Sequence, residues 1–247
     1  MAVWTILKRE VYAFFVSPMA YIMLTAWLLL CGLNFTWLAT YYASQPIGAG
    51  AQSSPLPAFF GGTTLFYLPI LVFVPLMTMR LLAQERSRGT IELLMTAPVG
   101  DVSIVIGKYL ASLVFWMALW VPTLLYVWLT SHYGDVDAGV VAASYLGIFL
   151  IGTYYLAIGL LMSAIAPQQM IAALLTFLAL GTLFVLGVGQ YIFDEYRDLF
   201  TYVSIWGHME SFSRGVVDSR YLVFDLSVAA LALTLTVGVL HARRTEG

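Results

Sequence analysis

Between Asp137 and Asp194 the chain runs for 56 consecutive residues without one Asp, Glu, Lys or Arg. A hydrocarbon layer is about 30 Å thick and takes about 20 apolar residues to cross as a helix, so this stretch holds two crossings. Inside lipid every backbone N–H and C=O must be satisfied internally, and a continuous apolar run satisfies them as α-helix. Pro167-Gln168-Gln169 is the one turn signal within it, which predicts spans over 140–164 and 170–191.

The same reading extends to the rest of the 247 residues, of which 61% are apolar and 10% charged. Further spans are predicted over 19–41, 63–82, 102–130 and 221–240. Pro69 and Pro75 are expected to bend the second, and Pro122 lies well inside the third. Residues 43–62, rich in Pro, Gly and Ser, are expected to form an uncharged outer loop without regular helix. Ahead of the first span, residues 1–16 place Trp4, Leu7, Val11 and Phe14 or Phe15 on one face and Thr5, Lys8 and Arg9 on another, the pattern of an interfacial helix that turns at Ser17-Pro18. The apolar run that follows Lys8 and Arg9 is longer than a signal-peptide core, so the first span is expected to be retained. Residues 192–220 mix Asp194, Glu195, Arg197, Asp198, His208, Glu210, Arg214, Asp218 and Arg220 with aromatics, which fits a broken outer segment dipping into the membrane surface. The fold class is therefore an all-α integral membrane protein in a single domain, with six transmembrane helices, an N-terminal interfacial helix and a re-entrant outer segment before the last helix.

Basic residues orient such a bundle. Lys8, Arg9, Arg80, Arg86, Arg88, Lys108, Arg243 and Arg244 fall on one side, and Arg197, Arg214 and Arg220 on the other. Eight against three places both termini in the cytoplasm. Lys108, near the start of the third span, is expected to extend its ammonium to the interface.

Several functions are excluded or disfavoured. A net charge of -2, with basic residues gathered at span ends, gives no surface for nucleic acid. Cys31 is the single cysteine and sits in an apolar run, so it reads as a packed thiol. The predicted spans four and five carry no charged group, which disfavours self-powered ion coupling. No Gly-x4-Gly-Lys-Ser/Thr phosphate loop occurs, so any ATP must be bound by a separate subunit. His132, His208 and His241 lie outside any metalloprotease spacing; His208 and Glu210 in the outer segment could make a site, but they read first as polar side chains at the surface or interface.

The charged island Arg80-Leu-Leu-Ala-Gln-Glu85-Arg86-Ser-Arg88-Gly89-Thr90-Ile-Glu92 separates two of these spans. Gln84 to Arg88 are expected to continue the helix of the second span, Gly89 to end it, and Thr90 to cap a short helix with Ile91, Leu94 and Met95 on one face, stopped by Pro98. The product is a charged elbow over 84–100 with an apolar knob, suited to seat in the cleft of a cytoplasmic partner.

The pattern Arg80-x4-Glu85-Arg86-x2-Gly89-Thr90-x-Glu92-x5-Pro98-x8-Gly107-Lys108 resembles the membrane subunits of type-2 ABC exporters over essentially the whole chain. Lys8-Arg9-Glu10 with Ser17-Pro18, and Phe212-Ser-Arg214-Gly-Val-Val-Asp218, support the same resemblance, which is nearest to the branch that includes permeases associated with bacterial gliding motility. The resemblance implies that residues 1–16, with Trp4, Lys8, Arg9 and Glu10, form an interfacial connecting helix. It implies that Glu85, Arg86, Arg88, Gly89, Thr90, Glu92 and Pro98 form the coupling surface seated in an ATPase, and that His208, Glu210, Arg214 and Asp218 belong to the re-entrant outer segment. It further implies two ATPase subunits that carry ATP and Mg2+, a second copy of this or a homologous permease, a location in the bacterial inner membrane, and in some members an extracytoplasmic protein partner. The chain itself is expected to bind membrane lipid, hold no cofactor and perform no covalent chemistry. The competing expectation is a membrane anchor that holds an ATPase or an extracytoplasmic partner without moving a substrate.

Overall fold

A computed structural model describes residues 2–44, 55–89, 99–133 and 136–246, and the described residues are helical with no strand. The helices are α1 (Ala2–Val16), α2 (Pro18–Ala43), α3 (Leu56–Gly61), α4 (Thr64–Thr78), α5 (Ala83–Ser87), α6 (Asp101–Trp120), α7 (Leu124–Tyr133), α8 (Ala138–Ile165), α9 (Gln169–Val188), α10 (Arg197–Val203), α11 (Ile205–Ser213) and α12 (Ser219–Glu246). Five stretches are long and apolar enough to cross a membrane: α2, α6 continued into α7, α8, α9 and α12. Helix α4 is as apolar but has only 15 residues, a rise of about 22 Å, short of a hydrocarbon layer.

Caps and ends explain where these helices begin and stop. Asp137 caps α8 through its side chain, accepting from the N–H of Gly139 at 2.7 Å. The α8–α9 break falls at Ala166–Gln168, where Pro167 cannot continue a helix. Pro122 lies in a single 3-10 turn, Val121–Thr123, that joins α6 to α7 within one long apolar stretch. The segment 43–62 departs from expectation: Leu56–Gly61 is helical, and Leu56, Phe59 and Phe60 are buried. Pro55 and Pro57, read as helix breakers, stand at its N-terminal edge, where a missing N–H leaves no bond unmade.

Helix α8 is the hub. It touches α4, α6, α9, α11 and α12, and residues such as Ile148, Ile151, Tyr154, Tyr155, Leu156 and Leu160 are buried all around it. Trp27, Phe66, Phe73, Trp116 and Trp120 interlock beside it, Trp27 meeting Trp120 edge-on with centroids 4.7 Å apart. Small residues let the helices close: a Cβ on Gly107 of α6 would stand 2.7 Å from Cγ2 of Ile6 in α1. Gly107→Val is therefore expected to lift α1 off α6 and lower stability by about 1–3 kcal/mol, read by thermal melting in detergent.

The two ends of the bundle differ. One end, called here the basic end, gathers α1, α5, the start of α6, the α8–α9 turn and the end of α12. Arg244 donates to Asp101 at 2.9 Å and Arg243 to the carbonyl of Ile165 at 3.0 Å. At the opposite end α10 and α11 precede α12, and α11 packs inward on α3 and α8 with Ile205, His208, Met209 and Phe212 buried.

Candidate functional site

At the basic end, four charged side chains from three separate helices converge. Lys108 of α6 places Nζ 3.0 Å from Oε1 of Glu10 in α1 and 2.9 Å from Oε1 of Glu85 in α5. Arg9 places Nη2 2.8 Å from the same oxygen of Glu10 and 3.4 Å from that of Glu85. The Lys108 side chain is 1% exposed, Glu10 15% and Glu85 20%. The expectation that Lys108 reaches to the interface is thus corrected: α1 lies over it through the Gly107 contact, and two carboxylates take the ammonium in place of water. A lysine so buried persists only when paired, and here two carboxyl groups meet it.

Burial alone would push the Glu10 carboxyl up, but Lys108 and Arg9 outweigh it and hold the carboxyl below its usual range. A depressed carboxylate adds stability that is present above its unfolded pKa and lost as pH falls through the folded one. The α1 attachment is expected to survive acidification through the ordinary Glu range of about 4.3 and to weaken only below it, followed by α1 proteolysis or fluorescence.

The elbow is fastened from a second side. The hydroxyl of Ser163 in α8 accepts from the backbone N–H of both Leu82 and Ala83 at 3.1 Å, supplying the first turn of α5 with acceptors from another helix. This corrects the expectation that α5 continues α4: the helix stops at Thr78, and Met79–Leu82 turn so that Leu81, Leu82 and Ala83 are buried. Arg86 donates to the carbonyls of Ile165 and Ala166 at 3.1 and 2.8 Å, so it caps the C-terminus of α8. Gly89 adopts φ +69 and its N–H bonds the carbonyl of Arg86, which ends α5 as the sequence predicts. Arg88 is exposed at the rim. Thr90, Glu92 and Pro98, with the short helix expected after Thr90, lie outside the described residues.

In α1, Leu7, Val11, Phe14 and Phe15 pack on the bundle as expected, together with Ile6. Trp4 does not; it is exposed, with Lys8 Nζ 5.1 Å from its ring centroid. Helix α1 turns its Ile6–Glu10–Phe14 edge toward α6, and that rotation carries Trp4 away.

At the opposite end the proposed neighbours His208 and Glu210 do not meet. Glu210 is exposed and binds Arg214 at 2.6 Å, one turn along α11. With Tyr191, Trp206 and Thr63 they border a cavity of about 410 Å³. Asp218 binds Arg220 at 2.9 Å, near the start of α12. His208 is fully buried and faces Asp225 of α12, itself fully buried, with Nδ1 and Oδ1 3.1 Å apart. Its Nε2 lies 2.9 Å from the carbonyl of Tyr202, which can only accept, so Nε2 carries a proton. Nδ1 is the ring atom that faces Oδ1 of Asp225. The two atoms are close but out of line, and neither Asp225 oxygen has an aligned donor among the described residues, so the contact is chiefly electrostatic. Sequence reasoning missed Asp225, although a lone carboxylate four residues into the run Tyr221-Leu-Val-Phe-Asp225-Leu was the available signal. Among the described residues no three His, Cys, Asp or Glu side chains converge as a metal ion would require.

The molecule is thus a helical bundle with five stretches able to cross a membrane and a charged elbow between α4 and α6. A family model described as ABC-2 family transporter protein matches residues 4–214. The chain belongs to the ABC-2 transporter family. It is a multi-pass membrane protein and a permease subunit of an ABC transporter, in a family that normally works with an ABC ATPase partner. The match takes in the Arg9–Glu10–Glu85–Lys108 cluster and His208, and ends before α12, which carries Asp225. No curated protein matches the chain.

Proposed function

We propose that this ABC-2 permease couples ATP binding and hydrolysis in a separate ATPase subunit to export of a substrate, or to mechanical transmission across the bacterial inner membrane, through the elbow at its basic end. The observation that supports this reading best is the cluster of Arg9, Glu10, Glu85 and Lys108. It joins α1, α5 and α6, so a push on the elbow moves the N-terminal helix and the third crossing as one body. Ser163 and Arg86 extend the same joint to the end of α8.

On this reading α4 is the sixth crossing, completed by residues on either side of it, and the basic end with both termini faces the cytoplasm. Residues 197–213 form a re-entrant segment at the outer surface, where the Glu210–Arg214 cavity is open to cargo or to an extracytoplasmic partner. Two ATPase subunits carry ATP and Mg2+, and two permeases pair through apolar side chains left exposed on helices such as α2 and α9. The Arg214–Asp218 motif supports placement in the gliding-motility branch.

The test is to purify the chain with its native associated proteins in mild detergent, then measure subunit masses and ATPase turnover with and without Glu92→Ala. A co-purifying ATPase whose retention or turnover falls about ten-fold is expected, equivalent to one lost charged contact. An ATPase that is retained and turns over unchanged removes Glu92 from the coupling surface. Absence of any ATPase favours an anchor or stand-alone carrier.

A further inference from the structure

Beside the charged cluster lies a second feature of the basic end, bordered by Glu10 of that cluster and by Arg88 at the rim of the elbow. A cavity of about 330 Å³ opens between α1, the start of α2 and the elbow, lined by Glu10, Ala13, Phe14, Ser17, Arg80, Leu81, Gln84 and Arg88. Two guanidinium groups face it. Arg80 donates through Nη1 to the Ser17 hydroxyl at 2.8 Å, and Arg88 donates to the side-chain oxygen of Gln84 at 2.8 and 3.0 Å with the amide in its hydrogen-bonded orientation. Neither arginine pairs with a carboxylate among the described residues. Glu10 is the single acid in the lining, and its Oε1 is held by Lys108 and Arg9. Among the described residues the cavity therefore presents two guanidinium groups without a carboxylate partner, a donor set that suits phosphate oxygens.

Its depth and its walls identify the source of the phosphate. Ser17 immediately precedes α2, and Arg80 follows the last residue of α4 by two positions, so the guanidinium lies where two apolar helices end. In a bilayer that is the headgroup level. Phe14 and Leu81 give an apolar wall, and Tyr12, Val16 and Tyr21 stand exposed around the same corner, where acyl chains would run. A soluble phosphate compound has no use for that apolar margin.

We propose that this cavity binds the phosphodiester of an anionic membrane phospholipid, with Arg80 and Arg88 on the phosphate and the α1–α2 corner against the chains. The bound lipid bridges α1 to the elbow, beside the Glu10–Lys108 contact.

The experiment uses the full chain with its co-purifying subunits in detergent, and reads binding and melting temperature with added phosphatidylglycerol, phosphatidylcholine or inorganic phosphate. Phosphatidylglycerol is expected to bind and raise the melting temperature, with the other two ineffective. Arg80→Gln with Arg88→Gln is expected to weaken phosphatidylglycerol binding ten-fold or more, as is Arg88→Gln alone in part, a rim substitution that leaves the fold intact. Arg197→Gln with Arg214→Gln at the opposite end is expected to change nothing. Equal binding of the two lipids, or undiminished binding by the Arg80/Arg88 variants, overturns the site. Saturation by inorganic phosphate overturns the lipid as its source. Loss of binding whenever the ATPase is attached overturns it in favour of a protein occupant.

Discussion

Lys108→Met is expected to destabilise the permease by about 3 kcal/mol, the low end for breaking a buried ion pair, because Glu10 and Glu85 keep some access to water. Their Oε1 atoms both approach Lys108 within 3.0 Å, so its loss leaves two carboxylates facing one another with only the outer Arg9 between them. Thermal melting in detergent is expected to fall by roughly 10 °C. Adding Glu10→Gln and Glu85→Gln to Lys108→Met is expected to restore most of the loss, since the buried positions then hold no charge and Arg9, more than half exposed, is left to water. If the cluster transmits force as proposed, the triple variant melts near the native temperature yet has a partner ATPase that no longer responds to cargo. A Lys108→Met protein that melts like the native one would show that the ammonium contributes nothing to the joint.

The second large effect belongs to the opposite end. Asp225→Ala removes the polar partner that faces a fully buried imidazole and is expected to cost about 3 kcal/mol. The damage is expected to be local: α10 and α11 lose hydrogen-exchange protection before the core of α8, because His208 is what ties α11 to α12. Replacing both groups, His208→Leu with Asp225→Leu, is expected to recover stability, as apolar substitutes for buried pairs do when they fill the space. Recovery of stability without recovery of transport would assign the pair a working role in the outer segment. Failure of the double variant to recover would point to packing by Tyr154, Tyr221 and Phe224, whose rings surround His208.

What the sequence disclosed and what it hid follow from the range of the interactions. The crossings were legible because lipid imposes a length and a composition on each helix separately. The Pro167 break, the Pro122 turn and the Gly89 stop were legible because they are properties of one residue and its own backbone. The burial of Lys108 was not, since its partners are 98 and 23 residues away and nothing local marks them. The stop of α4 at Thr78 was hidden for the same reason: the acceptor that replaces its next helical bonds is Ser163, about 80 residues on. The orientation of α1 was half legible. Periodicity found the face with Leu7, Val11 and Phe14, while the Gly107 contact that rotates Trp4 outward depends on a helix from elsewhere in the chain. Asp225 is different, because its signal was present in an apolar run and its meaning came only with His208 in view.

On the proposed function the elbow at the basic end, and not the opposite end, meets the ATPase. Cys31 is buried and is the single cysteine, so Cys31→Ser gives a background for one reporter thiol at a time. Arg88→Cys and Arg214→Cys, each carrying a short photo-cross-linker in the native complex, place that reporter at the two exposed ends. A cross-link from position 88 to the ATPase subunit is expected, and none from position 214. A cross-link from 214, or none from 88 in a complex that retains its ATPase, would overturn this placement of the ATPase.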